Sequence, residues 1–309
     1  MEYFEPKTIA AGVSIRGFAL SPDQYPAQEP FTAIGAKYHD EVLRRGAGVR
    51  GVELAYGDDP YQQIAIVPSE HPNGDVLIAL HGGGWTHGYK EWMGLNAPAI
   101  VAFPAVYVSL SYRLAPAVRY PEPLHDCLAG LRWIYANIGS HGGDPNRVFL
   151  GGHSAGAHLS ALATLRLDLH ERFDLPPDFI KACLPYSGVY DLTMEGPEGA
   201  RMRVPSTLKL LGEDAAALVP EASPITHARQ SKTPFLVTWA ENDNAYCRAQ
   251  GPLFIEALKE SASRVEGWMF SLFDHFWIHV DQQRAGNAWT RTLKAWMTGD
   301  PETAPVFQP

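Results

Sequence analysis

A serine with a glycine two positions before it and another two positions after it stands near the middle of this 309-residue chain, in the stretch GHSAG at 152–156. A short apolar run at 148–150 precedes it, and an Ala- and Leu-rich segment typical of a helix follows. A serine at a sharp strand-to-helix turn has a strained backbone, so the residues two positions before and after it must have almost no side chain. The pattern predicts a nucleophile elbow, with Ser154 raised above a sheet and the N–H of Ala155 facing a developing oxyanion. An ordinary glycine-rich turn is the alternative.

A second glycine cluster, HGGGW at 81–85, directly follows the apolar run 76–80. Three successive glycines allow a loop whose N–H groups converge on one point, which predicts that Gly83 and Gly84 supply the other half of an oxyanion hole. A phosphate-binding loop is the competing interpretation. The stretch lacks the lysine of the P-loop pattern, and no G-x-G-x-x-G follows the first strand. We expect His81 to have a structural role.

A serine nucleophile needs an acid and a base further along the chain, in the order Ser, Asp or Glu, then His. Asp243 follows the apolar run 235–239, and His275 follows the run 268–272. Because the carboxyl ends of parallel strands meet at one edge of a sheet, we expect both side chains to reach Ser154. His275 would then deprotonate the serine, while Asp243 would orient the imidazole and stabilise its protonated form.

Two other acids compete with Asp243 for this role. Glu241 lies nearer the end of its strand, and Asp274 is adjacent to His275 in sequence. A side chain adjacent to the histidine would point away from it, and a residue nearer the strand would be partly buried. The sequence therefore favours Asp243 as the acid.

Other histidines have spacings that resemble metal ligands. His279 lies four residues after His275, and His158 lies four residues after Ser154. There is no H-E-x-x-H pattern or Cys/His cluster, so we expect helix packing for His158 and His279, and a structural place beneath the nucleophile for His153. The sequence predicts neither a metal nor a cofactor.

The elements that must position these groups are apolar runs that alternate with helical segments. Strands are predicted at Val52–Ala55, Gln63–Val67, Val76–Leu80, Ala105–Leu110, Arg147–Leu150, Ala182–Tyr186, Phe235–Trp239 and Trp268–Leu272. Helices are predicted at Leu124–Asn137, Ala155–Leu169, Tyr246–Ser261 and Ile278–Met297. The first two strands form a hairpin, and the others, buried and separated by helices, predict an α/β fold with a mainly parallel sheet covered on both faces.

Two segments outside this alternation are predicted to cover the active site. Residues 1–48 are irregular and rich in Pro, Tyr and Phe, with one helical pattern around Phe31–Arg45. We expect them to form a cap, although a surface extension is the alternative. Residues 188–233 would be an insertion over the site within a catalytic domain at 49–300, and 301–309 would be a tail.

The composition excludes several classes of partner. A formal net charge of −9 argues against nucleic acid and anionic membranes. The three cysteines are widely spaced, so we expect free thiols in a reducing compartment. No apolar run approaches the ~20 residues of a membrane helix, and the first residues do not resemble a signal peptide. We therefore expect a cytoplasmic protein.

With these motifs in place, the chain resembles the α/β-hydrolase superfamily, in its hormone-sensitive-lipase-like branch, over about 49–297. The segments that carry the resemblance are HGGGW at 81–85, SYRLAP at 111–116, GGDP at 142–145 and GGHSAG at 151–156. Within the branch it is most similar to kynurenine formamidases, through GHSAGAHL at 152–159, AENDNAYCRAQ at 240–250 and DHF at 274–276. The resemblance implies Ser154, Asp243 and His275 as the triad, with an oxyanion hole from Gly83, Gly84 and Ala155. Those formamidases often have tyrosine at the Gly84 position, whereas esterases of the branch have glycine.

The chain is thus predicted to be a metal-free serine hydrolase that cleaves a small acyl group from an aryl amide or ester through an acyl-enzyme. Arylformamidase activity on a formanilide such as N-formylkynurenine is the main hypothesis. A general short-chain carboxylesterase is the alternative, and a non-catalytic binding protein of the same fold is the third. Homologous branches are often homodimers. Aromatic walls for the substrate are predicted at Trp85, Tyr89, Trp92, Tyr186 and Trp277, with core packing as the alternative for each.

Overall fold

A computed structural model describes residues 14–21, 23–193, 206–213, 215–284 and 286–299. Nine strands form one sheet in the order β1-β2-β3-β5-β4-β6-β7-β8-β9. The strands are β1 (Ser14–Gly17), β2 (Arg50–Ala55), β3 (Gln63–Val67), β4 (Gly74–Leu80), β5 (Val106–Leu110), β6 (Gly143–His153), β7 (Ile180–Tyr186), β8 (Phe235–Asn242) and β9 (Val265–Asp274). The neighbours β1, β2, β3 and β5 pair antiparallel, and all pairs among β4 to β9 are parallel. The predicted hairpin and the mainly parallel sheet are confirmed.

Helices surround this sheet. The α-helices are α1 (Ala33–Gly46), α2 (Ala97–Val101), α3 (Glu122–Asn137), α4 (Ala155–Leu165), α5 (Leu167–Arg172), α6 (Thr207–Leu211), α7 (Ala215–Ala222), α8 (Pro224–His227), α9 (Ala245–Lys259), α10 (Trp277–Val280) and α11 (Ala288–Thr298). Short 3-10 helices are found at Lys90–Asn96, Ile138–His141, Ala228–Gln230 and Asp281–Gln283.

The core lies on both faces of the central strands, as continuous apolar strands require. Ile78, Val108 and Leu150 pack on one face with α3 and α4. Leu77 and Phe149, each one residue earlier, pack on the opposite face with α2 and α11. Side chains alternate between the two faces along each strand, and the observed register of β4 with β5 and β6 sets the height at which each of these strands ends.

Two predicted helices are wrong in extent. The helix predicted over Ile278–Met297 is divided into α10, a 3-10 helix and α11. The second part is a new helix because the Asn287 side chain accepts a hydrogen bond from the Trp289 N–H, and Gly286 before it has a φ of +78°. The helix predicted to run to Leu169 ends at Leu165, where the next residue leaves helical geometry before α5 begins.

The loops after β4, β6, β8 and β9 leave from the same edge of the sheet, and they carry the residues predicted to do chemistry. Of the two segments predicted to cover this edge, residues 1–13, 22, 194–205 and 214 lie outside the described residues, as do 300–309 of the domain end and tail. The described parts contain β1 and α1 in one segment and α6, α7 and α8 in the other. Their function as a cap remains a prediction.

Candidate active site

Ser154 occupies the turn between β6 and α4. Its φ and ψ are 54° and −113°, a conformation rare for a residue with a side chain. Its N–H donates to the carbonyl of Tyr186 on β7, at 3.1 Å. Gly156 must be glycine, because a Cβ there would lie 2.2 Å from the carbonyl oxygen of Leu80. The backbone thus has the strained, side-chain-free turn predicted from the sequence.

The structure brings three distant side chains into contact at this turn. His275 Nε2 lies 3.0 Å from Ser154 Oγ, and His275 Nδ1 lies 2.6 Å from Asp243 Oδ1. Each of the three residues is less than a tenth exposed. With a proton on Nδ1 donated to the carboxylate, Nε2 is free to accept the serine proton, which is the tautomer that general-base chemistry needs.

The Asp243 carboxylate is held by groups that the sequence did not single out. Ser187 Oγ donates to Oδ2 at 2.5 Å, and the N–H groups of Ala240 and Asn244 donate at 3.2 and 2.8 Å. Although burial alone would raise the pKa of this carboxyl, the hydrogen bonds from His275 and Ser187 keep it below its ordinary value. Asp243 is therefore an anion in this buried position.

The two competing acids have other partners. Glu241 is exposed, and its Oε2 accepts the Leu272 N–H at 2.9 Å. Asp274 Oδ1 accepts the N–H groups of Phe276 and Trp277, at 2.9 and 2.8 Å, where α10 begins. Neither carboxylate is the one bonded to the imidazole.

The glycine loop after β4 is shaped by a tight turn. Gly83 has a φ of +108° and Gly84 a φ of +60°, both in the region that favours glycine. The N–H groups of Thr86 and His87 donate to the Gly83 carbonyl, at 3.2 and 3.0 Å. These bonds fix the orientation of the carbonyl and therefore of the peptide planes beside it.

This loop lies next to the serine. A Cβ built on Gly82 would be 3.1 Å from Ser154 Cβ. Within the part of the chain that the structure describes, the N–H groups of Gly83, Gly84 and Ala155 donate to no protein acceptor. Their assignment as oxyanion donors remains a prediction, and the arrangement is consistent with it.

A cluster of buried rings supports the triad histidine, His275. His153 Nε2 is 2.7 Å from the carbonyl oxygen of His275, to which it donates. Burial, with the imidazoles of His275 and His279 nearby, holds the pKa of His153 well below its ordinary value. The hydroxyl of Tyr38 on α1 lies 2.6 Å from His279 Nδ1, and burial lowers the pKa of His279 to about 3. These neutral rings pack beneath the elbow, as expected for structural histidines.

Two more histidines are buried at the glycine loop. His81 stacks on Tyr112 with ring centroids 4.3 Å apart, and burial lowers its pKa to about 4. His158 Nδ1 accepts the indole N–H of Trp85 at 3.2 Å, and its Nε2 donates to the carbonyl of Ala222 at 2.7 Å. Both have the structural surroundings that the sequence suggested.

The five predicted aromatic walls divide into two groups. Trp85, Trp92 and Tyr186 are at most 2% exposed, so the structure places them in the core, where they present no surface to a substrate. For these three side chains the structure therefore favours the alternative role, core packing. Tyr89 is partly buried, and Trp277 is exposed with the Arg45 guanidinium 5.4 Å from its ring. A substrate contact by Tyr89 or Trp277 remains a prediction.

Asp243, His275 and Cys247 form a compact group of potential metal ligands. The Cys247 thiol donates to the Ser187 carbonyl at 3.1 Å. Burial, together with the Asp243 carboxylate, raises the pKa of this thiol well above its ordinary value. A protonated thiol is a poor metal ligand, since the thiolate is the binding form. Asp243 and His275 already bind each other, and His275 also binds Ser154, so their positions are accounted for without an ion.

No helix in the described ranges combines the length and the hydrophobicity needed to cross a bilayer. Cys127, Cys183 and Cys247 are free thiols, as expected, and all three are buried.

Comparison with known proteins concerns the family and the fold of this chain. A family model described as BD-FAE matches residues 63–258, more than half of the chain. Esterase LipQ of Mycobacterium tuberculosis is 32% identical over 196 residues, which are 61% of this chain and 46% of LipQ. Esterase LipC of the same organism is 30% identical over 276 residues, which are 83% of this chain and 66% of LipC. The chain thus spans about half to two thirds of the length of these relatives.

Among solved structures, esterase B from Lactobacillus rhamnosis matches with a TM-score of 0.69 at 22% identity, over 86% of this chain and 94% of esterase B. The thermophilic carboxylesterase EstE1, cloned from a metagenomic library, matches with a TM-score of 0.67, also at 22% identity, over 89% of this chain and 96% of EstE1. At these identities the likeness concerns the fold. The predicted α/β-hydrolase fold is confirmed.

Proposed function

This chain belongs to the BD-FAE family, within the α/β-hydrolase superfamily, and from that premise we propose that it is a serine carboxylesterase that hydrolyses short-chain acyl esters. The observation that carries the proposal is the hydrogen-bonded series Ser154–His275–Asp243 at the edge of the sheet. It is the arrangement that nucleophilic acyl transfer requires: a nucleophile, a base within reach of its proton, and an acid that orients the base.

The proposed reaction has two halves. Ser154 Oγ attacks the ester carbonyl while His275 Nε2 takes its proton, and the buried Asp243 anion stabilises the imidazolium that forms. The tetrahedral oxyanion accepts hydrogen bonds from backbone N–H groups at 83, 84 and 155, each worth about 3 to 4 kcal/mol in comparable enzymes. His275 then protonates the leaving alkoxide. Water, activated by the same imidazole, releases the acid and regenerates Ser154.

Two observations favour esters over formanilides. The relatives LipQ and LipC are named esterases. Gly84 is also the residue found in esterases of the branch, and a side chain there would be strained, because φ is +60° and a Cβ would lie 2.8 Å from Ser206 Oγ. The tyrosine often found at this position in formamidases would be strained in this conformation.

The test is a comparison of kcat/KM for p-nitrophenyl acetate, p-nitrophenyl butyrate and N-formylkynurenine. We expect the two esters to be turned over with the higher kcat/KM. Ser154→Ala should lower kcat by at least about 10⁴-fold, because it removes the nucleophile. Ser160→Ala is the matched control, since Ser160 Oγ donates to the Ala157 carbonyl inside α4 and its other side-chain hydrogen bond is with the Cys183 thiol, not with a triad residue. A formanilide preference would restore arylformamidase as the activity, and full activity in Ser154→Ala would refute the triad.

A further inference from the structure

The segment before α1 is bonded to the turn that follows the glycine loop. Gln28 Oε1 accepts the Gly88 N–H at 3.1 Å, and Gln28 Nε2 donates to the Gly88 carbonyl at 3.0 Å. The same Nε2 donates to the hydroxyl of Tyr61, at 2.8 Å. The half-buried Gln28 carboxamide thus binds both the N–H and the carbonyl of Gly88, and its hydrogen bond to Tyr61 helps to fix its own position.

Gly88 is the point where this contact reaches the oxyanion loop. Its φ is +109°, and a Cβ there would lie 2.4 Å from His81 Nδ1 and 2.6 Å from the Gly82 carbonyl oxygen. The backbone at 88 is therefore packed directly on the beginning of the glycine loop. The N–H groups of the two residues that follow Trp85 donate to the Gly83 carbonyl, so the turn that ends at Gly88 determines how the Gly83 peptide is oriented.

We propose that Gln28 is a positioning residue that holds the turn at 86–88 and, through it, the N–H donors of Gly83 and Gly84. The inference rests on the proposed function, because it assigns those N–H groups to the oxyanion. Glycines in the left-handed region have great backbone freedom, so a loop that contains several of them needs an external restraint to present its donors at fixed positions. The paired hydrogen bonds of Gln28 supply such a restraint at Gly88.

A second contact runs beside the first. His87 Nε2 donates to the backbone carbonyl of Glu29, at 3.0 Å. Because this bond uses the backbone of Glu29, it does not depend on the Gln28 side chain. Replacing Gln28 should therefore loosen the turn without detaching the segment.

Oxyanion donors stabilise the tetrahedral state more than the bound ester, so the expected effect is on kcat and not on KM. Gln28→Ala should lower kcat for p-nitrophenyl butyrate about ten- to a hundredfold, with KM changed less than about twofold, since displaced donors lose part of the 10²–10³-fold that each contributes. Ser154 adds to the carbonyl of an alkyl trifluoromethyl ketone and forms a tetrahedral oxyanion. The affinity for this ketone should therefore fall by the same factor as kcat.

Gln28→Met serves as a second variant, because it keeps the side-chain volume and loses only the polar atoms. Gln24→Ala is the matched control: Gln24 belongs to the same segment, but its Nε2 donates to Glu91 at 2.9 Å and not to the turn. It should retain both the kcat and the ketone affinity of the original protein. Active sites are titrated with an organophosphate, so that loss of folded protein is not counted as loss of rate.

The outcomes separate the two proposals. If the original protein hydrolyses esters and both Gln28 variants match it in kcat and ketone affinity, the positioning role is refuted while the esterase proposal stands. If the original protein neither hydrolyses esters nor binds the ketone, the proposed function fails and the role of Gln28 fails with it. Equal losses in Gln24→Ala would attribute the effect to the whole segment and also refute the specific role.

Discussion

Asp243 receives four hydrogen bonds from described residues, and three of them come from groups other than His275. A buried carboxylate with a single partner would tend to take up a proton, because desolvation penalises the charge. The Ser187 hydroxyl and the N–H groups of Ala240 and Asn244 offset that penalty. Asp243 thereby remains an acceptor that keeps the proton of the imidazole on Nδ1.

The replacement Asp243→Asn is predicted to lower kcat about 10³- to 10⁴-fold. An amide can donate a hydrogen bond to Nδ1 of His275 and so favour the wrong tautomer of the imidazole, as in serine proteases with a triad. KM for p-nitrophenyl butyrate should change little. Glu241→Gln is the control, because Glu241 is exposed and its carboxylate contacts only the Leu272 N–H among the hydrogen bonds described for it. A kcat for Asp243→Asn within tenfold of the original would show that another group fills the role.

The sequence could predict that Ser154, Asp243 and His275 meet, because each follows an apolar strand and because parallel strands end at one edge of the sheet. It could not predict Ser187. That residue has no motif, and it reaches Asp243 by a left-handed backbone conformation, with a φ of 51°, directly after β7. Its one available signal was a polar side chain at the carboxyl end of a strand. Gln28 had no signal, because its partner Gly88 is distant in sequence and is bound through its backbone.

At the scale of elements, the elbow is a close crossing of β6 and α4 over the end of β4. A Cβ on Gly152 would lie 2.6 Å from the Gly156 backbone, and a Cβ on Gly156 would lie 2.2 Å from the Leu80 carbonyl. Backbone atoms cannot move aside as the end of a flexible side chain can. The strand and helix therefore reach this distance only with glycine at both positions.

Gly156→Ala is accordingly predicted to lower the free energy of unfolding by about 3 kcal/mol or more, at the upper end of the cost of overpacking. Gly139→Ala is the matched control: Gly139 is exposed in a short 3-10 helix, and a Cβ there meets nothing within 4 Å. It should be within about 1 kcal/mol of the original protein. Urea unfolding followed by circular dichroism measures both. Equal midpoints for the two variants would contradict the close crossing.

Element boundaries were the weaker part of the sequence prediction, and the physical reason is visible after His275. The apolar periodicity continues from Ile278 through Leu293 and Trp296, which favours one helix. The chain instead breaks where Asn287 caps a new helix, and the 3-10 turn at 281–283 lets Gln282 bind Asn96 across the core, at 3.1 Å. A tertiary contact of this kind overrides periodicity and cannot be read from one segment.

At the scale of the whole molecule, four buried histidines share one electrostatic state. Burial lowers the pKa of His81 and His158 to about 4 and that of His279 to about 3, and His153 is also lowered. All of them are neutral in the folded protein at pH 7. In the unfolded chain a histidine takes up a proton near its ordinary pKa of about 6.5.

The folded protein is therefore predicted to lose stability as the pH falls from about 6.5 to about 4. In that interval the unfolded chain binds protons that the folded protein excludes, and wherever the unfolded state binds more protons, the free energy of unfolding falls as the pH falls. Above pH 6.5 both states are neutral at these histidines, so they cause no dependence on pH there. Below about 4 the contributions of His81 and His158 stay level. The free energy of unfolding, measured by urea titration from pH 8 to pH 4, checks the direction.

His158→Gln isolates one histidine from the carboxylates that titrate at the lower end of this range. The amide can still accept the Trp85 indole N–H and donate to the Ala222 carbonyl, the two bonds that His158 makes. A shift from 6.5 to about 4 corresponds to about 3 kcal/mol at 1.36 kcal/mol per pKa unit. Between pH 7.5 and pH 4 the original protein should therefore lose about 3 kcal/mol more stability than the variant. If the free energy of unfolding of the two proteins depends on pH in the same way, His158 takes up a proton equally readily in the folded and unfolded states. The site between α4 and the glycine loop would then be accessible to protons.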